Sequence, residues 1–279
     1  MDPKDIVIFL EPTAQSDRRL DYALLLAKQW QAHLIATFVV PPLGIDPHAG
    51  FAIGTGITHM LEQYHQRTEE AVARARQHFE ALTHHRSFTA EWRVSDEFEG
   101  EALMLHARHA ALAIVGRPVR PDLGTVSRLN LATHLIFASG RPTLCLPDHW
   151  PAERQPRRIV MGWNGSREAT RALSAAMPLL RTADAVHLVV VPDVLLRGLL
   201  GPNPGADITA HLARHGVKVS LDQCQGEDAG EVLLHRCRAV DADLLVMGAV
   251  GRSRISEFIF GGATHHILAK AELPILLSQ

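Results

Sequence analysis

The chain has 279 residues, of which 47% are hydrophobic and 21% are charged, and its formal net charge is −2. This composition excludes an intrinsically disordered chain, and it excludes a basic surface for nucleic acid, which needs an excess of positive charge. The sequence has no apolar run near the roughly 18 residues of a membrane span, no secretory signal pattern and no C-x-x-C pair among its three cysteines. We therefore expect a cytoplasmic protein that binds neither membrane nor nucleic acid.

The first half of the chain alternates apolar runs with amphipathic stretches. It opens with a continuous apolar run at residues 6–10, which is typical of a strand buried on both faces. The polar turn Glu11-Pro12-Thr13 follows. After it the pattern predicts a helix over 17–29, a strand over 33–40, a long helix near 59–82, a helix from about 100, a strand over 113–116, a further helix and a final strand over 142–146.

The second half repeats the same order of elements. Its first strand is predicted over 158–163 and is followed by the turn Asn164-Gly165-Ser166. Next come a helix over 167–180, a strand over 185–191, a helix from about 230, a strand over 244–248, a helix over 265–269 and a final strand over 274–277. Both halves thus read as one unit used twice, which is the signature of an internal repeat.

Strands that alternate with helices indicate right-handed βαβ units and a parallel sheet covered on both faces. The sequence therefore predicts an α/β fold with two tandem doubly wound parallel-sheet domains. Residues 1–147 form the first predicted domain and residues 157–279 the second. The segment over 147–156, rich in proline and charge, is the predicted linker.

In doubly wound sheets, ligands bind beyond the carboxyl ends of the strands, where the strand order reverses. The fourth strand of the second half ends there at Gly248, and Gly251, Gly261 and Gly262 follow before the next helix. Glycines bring backbone N–H groups close to an anion, and a helix N-terminus adds unpaired donors. The same glycines are also compatible with an ordinary strand end and helix cap.

The spacing of Gly248, Gly251 and Gly261 is neither a Walker A loop nor a Rossmann fingerprint. It resembles the nucleotide loop of the universal stress protein family. The likeness extends to residues 163–166, where that family usually has Asp-Gly-Ser, to residues 243–248 before the loop, and to residues 274–276. Because the two repeats together cover nearly the whole chain, the chain resembles a tandem universal stress protein. The resemblance implies two five-stranded, Rossmann-like domains of the adenine nucleotide alpha hydrolase-like type.

The resemblance also implies a function, that of a cytoplasmic stress-response protein that binds an adenine nucleotide in its second domain. ATP is the expected ligand, with ADP or AMP as alternatives, and magnesium is not firmly required. Asn164 would lie near the adenosine, Val190 near the adenine, and the glycines around the phosphates. The candidate binding residues are Trp163, Asn164, Val190, Met247, Gly248, Gly251, Arg252, Ser253, Gly261, Gly262, Ala263 and Thr264.

Two positions of the second half depart from the family pattern. Asn164 replaces the usual aspartate, so it can form hydrogen bonds but contributes no charge. Gly262 stands where the family often has a serine that contacts phosphate, and Thr264 is a possible substitute.

The first half departs much further from this pattern. Pro12, Pro118 and Pro121 stand where a phosphate loop needs freedom of rotation and N–H donors, and Gly124 and Thr125 do not restore the spacing. We therefore predict that the first domain binds no nucleotide and is structural.

The sequence offers no complete catalytic set, so we predict no catalytic residues and no enzyme, although slow ATP hydrolysis stays open. The adjacent pairs His84-His85 and His265-His266 diverge on a helix, so we predict no metal site. Glu227, Asp228 and Glu231 are better explained as caps of the following helix.

The alternative function is an interaction module that binds no nucleotide and acts through dimerisation and partner contacts. The resemblance implies that the final strands, 143–146 and 275–277, pair the two halves within one chain. These strands are equally compatible with plain sheet edges covered by the linker. A homodimer of chains and unidentified protein partners are also expected.

Overall fold

The computed structural model of the chain describes residues 2–40, 55–84, 88–96, 101–117, 126–192, 201–249 and 262–279. In the first half these residues form β1 Asp5–Leu10, α1 Ala14–Trp30, β2 His33–Val39, α2 Thr55–Thr83, β3 Ala90–Ser95, α3 Glu101–Arg108, β4 Leu112–Gly116, α4 Val126–Ala138 and β5 Thr143–Leu146. In the second half they form β6 Arg158–Gly162, α5 Arg167–Leu180, β7 Ala185–Val190, α6 Ala206–Arg214, β8 Val219–Gln223, α7 Ala229–Ala239, β9 Leu244–Gly248, α8 Gly262–Lys270 and β10 Ile275–Ser278.

The strands join into one sheet with the order β3-β2-β1-β4-β5-β10-β9-β6-β7-β8. Within each half the paired strands are parallel, and the first strand lies between the second and the fourth. This order confirms the predicted doubly wound α/β fold. The inner strands are buried along almost their whole length, which explains why their sequences are continuous apolar runs rather than alternating ones.

The two halves meet through their final strands. β5 and β10 pair in antiparallel register, with Ile275 opposite Cys145 and Leu276 opposite Leu144. The expected pairing of the halves within one chain is therefore present. Since β5 and β10 each have a neighbour on both sides, the outer strands of the described sheet are β3 and β8.

The linker is anchored to the second half by the buried carboxylate of Asp243. This carboxylate accepts hydrogen bonds from Arg154 Nε at 2.6 Å and from the backbone N–H groups of Arg157 at 3.0 Å and Arg158 at 2.8 Å. The Arg154 guanidinium also lies 4.7 Å from the ring centre of the buried Trp150. A buried carboxylate needs such partners, so the linker is part of the packed structure. None of the described helices combines the length and apolar character of a membrane span.

Candidate functional site

A small cleft of about 80 Å³ opens at the carboxyl ends of β6, β7 and β9. It lies where the strand order reverses between β9 and β6, the position at which doubly wound sheets bind ligands. The strand ends and the first turns of α7 and α8 form its lining, which consists of Gly162, Trp163, Asn164, Val189, Val191, Ala229, Leu233, Met247, Gly248 and Ala263.

Gly162 keeps the cleft open. A Cβ atom at this position would lie 3.1 Å from Leu233 Cδ1 and 3.6 Å from Met247 Cβ, so any side chain here would project into the cleft. Sequence reasoning missed Gly162, Ala229 and Leu233 as lining residues. The available signal was a glycine at the end of an otherwise apolar strand, which often marks a place where a ligand approaches the backbone closely.

Gly248 lines the cleft and also has a packing role. A Cβ here would lie 2.7 Å from the backbone nitrogen of Ala169 and 2.8 Å from the carbonyl carbon of Glu168. The glycine therefore allows the first turn of α5 to pack on the end of β9. Met247, the residue before it, lines the cleft as well.

The first turns of α7 and α8 lie side by side at the cleft. Asp228 Oδ1 caps α7 by accepting from the backbone N–H of Gly230 at 2.7 Å, and its Oδ2 lies 2.9 Å from His266 Nδ1 on α8. A Cβ at Gly230 would lie 2.9 Å from the carbonyl oxygen of Ala263, so the absence of a side chain permits this close packing. The expected capping role of Asp228 is confirmed. Two helix N-termini, each with a positive dipole end, thus border one cleft.

Asn164 lines the cleft but uses its carbonyl oxygen locally. Its Oδ1 accepts from the backbone N–H of Ser166 at 3.1 Å, and Ser166 Oγ in turn caps α5 by accepting from the N–H of Ala169 at 3.1 Å. The side-chain amide nitrogen of Asn164 is a donor that takes no part in this turn. Trp163 stands beside it, half-buried, with its backbone N–H bonded to the carbonyl oxygen of Val189.

The structure corrects the prediction for Val190. Its fully buried side chain packs on the opposite face of the sheet, where its Cγ2 would lie 2.9 Å from a Cβ built at Gly205. Its neighbours Val189 and Val191 line the cleft instead. The predicted position was one residue away, and in a strand a shift of one residue moves a side chain to the other face.

Thr264 is also corrected. Its side chain is 3% exposed, and its hydroxyl donates to the carbonyl oxygen of Ala249, which ties the first turn of α8 to the end of β9. This hydroxyl is therefore used inside the protein. The predicted residues Gly251, Arg252, Ser253 and Gly261 lie outside the described residues. Gly262 is exposed, and a Cβ there would meet open space, whereas Ala263 lines the cleft.

In the first half, a large side chain occupies the position equivalent to Gly162. Ile6 pairs with Leu112 as Ile159 pairs with Leu244, so Phe9 stands where the second half has Gly162. Phe9 is fully buried. A phenyl ring thus takes the place of the glycine that opens the second cleft.

The turn after β1 holds a buried ion pair. Arg19 Nη2 lies 3.0 Å from Glu11 Oε2 and donates to Ser16 Oγ at 2.7 Å, and Arg19 is only 2% exposed. The guanidinium lies so close to Gly116 that a Cβ there would overlap it. Glu11 is therefore committed to a contact within the fold. Pro118, Pro121, Gly124 and Thr125 lie outside the described residues.

A polar cluster on β7, β8 and α7 does not form a catalytic relay. Ser220 Oγ lies 3.0 Å and Asp222 Oδ2 lies 3.4 Å from the same atom, His187 Nδ1, whereas a relay needs opposite ring nitrogens. The charge of Asp222 is balanced by Arg236, whose Nη2 lies 2.8 Å from Asp222 Oδ2. Among the described residues, no three histidine, cysteine or acidic side chains come together as metal ligands.

Comparison with known proteins agrees with this architecture. The profile of the universal stress protein family matches residues 156–279. The stress response protein NhaX of Bacillus subtilis is 22% identical, and the match covers 43% of this chain and 96% of that protein. A universal stress protein of Mycolicibacterium smegmatis is 34% identical over 70 residues, which are 25% of this chain and 54% of that protein.

Two solved structures share the fold along the whole chain. A universal stress protein from Archaeoglobus fulgidus superposes with a TM-score of 0.69 at 14% identity, covering 98% of both chains. A putative universal stress protein from Pseudomonas aeruginosa gives a TM-score of 0.61 at 17% identity, covering 99% of this chain and 93% of that one.

Fold and cleft together define a doubly wound α/β protein in which one five-stranded unit occurs twice and the second unit has an open cleft at the switch point. The profile of the universal stress protein family lies on the second half, residues 156–279, and the solved universal stress proteins share the fold of the whole chain.

Proposed function

We propose that the cleft of the second half binds an adenine nucleotide, with ATP as the first candidate and ADP or AMP as alternatives. The observation that carries this proposal is the meeting of two helix N-termini, those of α7 and α8, at a cleft that Gly162 keeps open. Helix N-termini favour phosphate because their first N–H groups have no partner within the helix and their dipoles are positive. At α7 the N–H groups of Gly230 and Glu231 already bond to Asp228, so the start of α8 is the one proposed to meet phosphate.

The two ends of the cleft match the two ends of a nucleotide. Val189, Val191, Leu233 and Met247 supply an apolar wall for a planar base. The helix starts supply the polar end for phosphate, and the side-chain amide of Asn164 is a donor for a sugar hydroxyl. Magnesium is compatible with this arrangement but is not required by it.

We propose that the protein acts by binding and partner contact in the cytoplasm rather than by turnover. The described side chains that line the cleft are alanine, valine, leucine, methionine, tryptophan and asparagine, and none of these types is a general base at neutral pH. Steady conversion of ATP to ADP at many turnovers per minute by the purified protein would contradict this part of the proposal.

We also propose that the first half binds no nucleotide, because Phe9 fills the place of Gly162 and Glu11 is paired with Arg19. A homodimer of chains remains part of the proposal. It has to use surfaces other than the β5 and β10 edges, since these edges pair with each other. Sedimentation analysis of the purified chain measures this association directly.

The test is calorimetric titration of ATP into the wild-type protein and into Gly162→Val. The atoms nearest to the added Cβ are the flexible ends of Leu233 and the Cβ of Met247, so we expect a folded variant with ATP affinity at least about tenfold weaker. Ala239→Leu, at an exposed position on the same helix as Leu233, is the matched control and should bind as wild type does.

Equal affinity of wild type and Gly162→Val would place the ligand elsewhere. No binding by the wild type at millimolar ATP would contradict the nucleotide function and would favour the interaction module.

A further inference from the structure

An arginine of the first half reaches the C-terminal end of α8, the helix whose first turn borders the cleft. Arg117 directly follows β4, and its Nη1 donates to the carbonyl oxygen of Ala271 at 2.6 Å and to that of Ala269 at 3.4 Å. In the linker, His149 Nε2 lies 3.1 Å from the carbonyl oxygen of Glu272. The first half and the linker therefore hold the end of α8.

The opposite end of α8 is held by the second half itself. The Thr264 hydroxyl donates to the carbonyl oxygen of Ala249, and His266 contacts Asp228, the cap of α7. These contacts fix the first turn of α8 against the cleft. One short helix thus connects the cleft at its start to the first half at its end.

A helix of this length depends on its end contacts. α8 has nine residues, fewer than an isolated helix needs to be stable in water. The last carbonyl groups of a helix have no partner within the helix, and a cation there is favourable to its dipole. Arg117 supplies both a donor and a positive charge at this point.

The contact of Arg117 with α8 has no counterpart at the equivalent residue of the second half. The backbone N–H of Arg117 donates to the carbonyl oxygen of Leu146 at 2.7 Å, just as that of Ala249 donates to Ser278 at 2.8 Å. Arg117 and Ala249 are therefore equivalent positions. The first copy carries a long cation where the second copy has a small buried residue, and this cation extends into the second copy.

We propose that Arg117 is a positioning residue for the cleft of the second half, and that the first half, closed to nucleotide itself, keeps α8 in its binding geometry. The role of Arg117 in holding α8 is independent of any ligand. Its effect on affinity rests on the proposed nucleotide function.

The first measurement is hydrogen–deuterium exchange of the full chain without nucleotide. We expect the amides of residues 262–270 to exchange about tenfold faster in Arg117→Ala than in the wild type, and Arg117→Lys to restore part of the protection. Arg108→Ala is the matched control, because Arg108 Nη2 donates to the carbonyl oxygen of Ala138 at the end of α4. It should leave residues 262–270 unchanged.

The second measurement is ATP titration of the same proteins at a temperature at which all are folded. We expect affinity about fivefold weaker in Arg117→Ala, an intermediate value in Arg117→Lys and the wild-type value in Arg108→Ala, since a binding-competent helix is populated less often. Unchanged exchange in α8 would overturn the positioning role, whatever the ATP result.

Faster exchange with unchanged ATP affinity would overturn the link between Arg117 and the cleft. If the wild type binds no ATP, the nucleotide function fails and the effect on affinity fails with it. The exchange data then still show whether the first half holds α8, so the two failures are distinguishable.

Discussion

Three glycines at the cleft differ in what a side chain would meet. At Gly162 a Cβ would face the flexible side chain of Leu233, at Gly248 it would meet backbone atoms of α5, and at Gly262 it would meet open space. Side-chain ends can move by a few tenths of an ångström, whereas the backbone of a packed helix cannot move without disturbing its neighbours. All three residues are glycines, yet the loss of stability on adding one methyl group should differ with the position in the fold.

We expect Gly248→Ala to lower the free energy of unfolding by about 1–3 kcal/mol, because the new methyl group overlaps the backbone at Glu168 and Ala169. Gly262→Ala is the matched control and should change it by less than about 0.5 kcal/mol. Urea denaturation of both variants measures the difference. Equal stabilities would show that the first turn of α5 yields more easily than its packing on β9 implies.

At the scale of single residues, sequence reasoning found the region of the cleft but not the side chains that face it. Five residues predicted from the family pattern line it, namely Trp163, Asn164, Met247, Gly248 and Ala263. The side chain of Val190 lies on the other face of the sheet, and the hydroxyl of Thr264 bonds inside the protein. Family likeness gives a position along the chain but not the face of a strand or helix on which a side chain lies. Leu233 was missed because the sequence of the preceding loop, residues 224–228, does not show which face of the helix turns towards the cleft.

At the scale of elements, the starts of α7 and α8 form one unit. Asp228 caps α7 with one carboxylate oxygen and contacts His266 of α8 with the other. One side chain thus fixes both the start of a helix and the spacing between two helices. The shape of the cleft depends on this spacing, since Ala229 of α7 and Ala263 of α8 both line it.

We expect Asp228→Ala to lower the free energy of unfolding by about 1–2 kcal/mol through loss of the cap. Asp228→Asn keeps an oxygen for the cap but loses the charge that faces His266, so it should be intermediate. Glu231→Ala, an exposed acidic residue in the same turn, is the control and should stay within about 0.5 kcal/mol of wild type. Identical stabilities of the Asn and Ala variants would contradict the capping role.

Elements were easier to predict than side-chain directions. The bounds of α5, 167–180, agree with the prediction, because Ser166 is a strong cap and the apolar residues recur at helical spacing. α8 begins at Gly262 rather than at His265, since the glycine at its first position is a poor helix former and gives no helical signal. The pairing of β5 with β10 was predicted from family likeness alone. The short apolar sequence of either strand does not indicate which strand it pairs with.

At the scale of the whole molecule, both halves bury groups that ionise at alkaline pH. Burial raises the pKa of Cys145, on the junction strand β5, from 9.0 to about 12, although Arg117 opposes the shift. Burial likewise raises the pKa of Cys237 on α7 to about 12. Burial, and then the charge of Asp243 in the second half, raise the pKa of Tyr22 on α1 of the first half.

These shifts predict a loss of stability at alkaline pH. Between pH 9 and 12 the thiols ionise in the unfolded chain but stay protonated in the folded one, so the folded state binds more protons. Stability therefore falls as pH rises, by up to about 1.4 kcal/mol per pH unit for each thiol.

Urea denaturation under reducing conditions at pH 8, 9 and 10 measures this slope. Cys145→Ala/Cys237→Ala should be less stable than wild type at pH 8 yet lose less stability between pH 9 and 10. If the double variant loses as much stability per pH unit as the wild type does, neither buried thiol contributes to the loss.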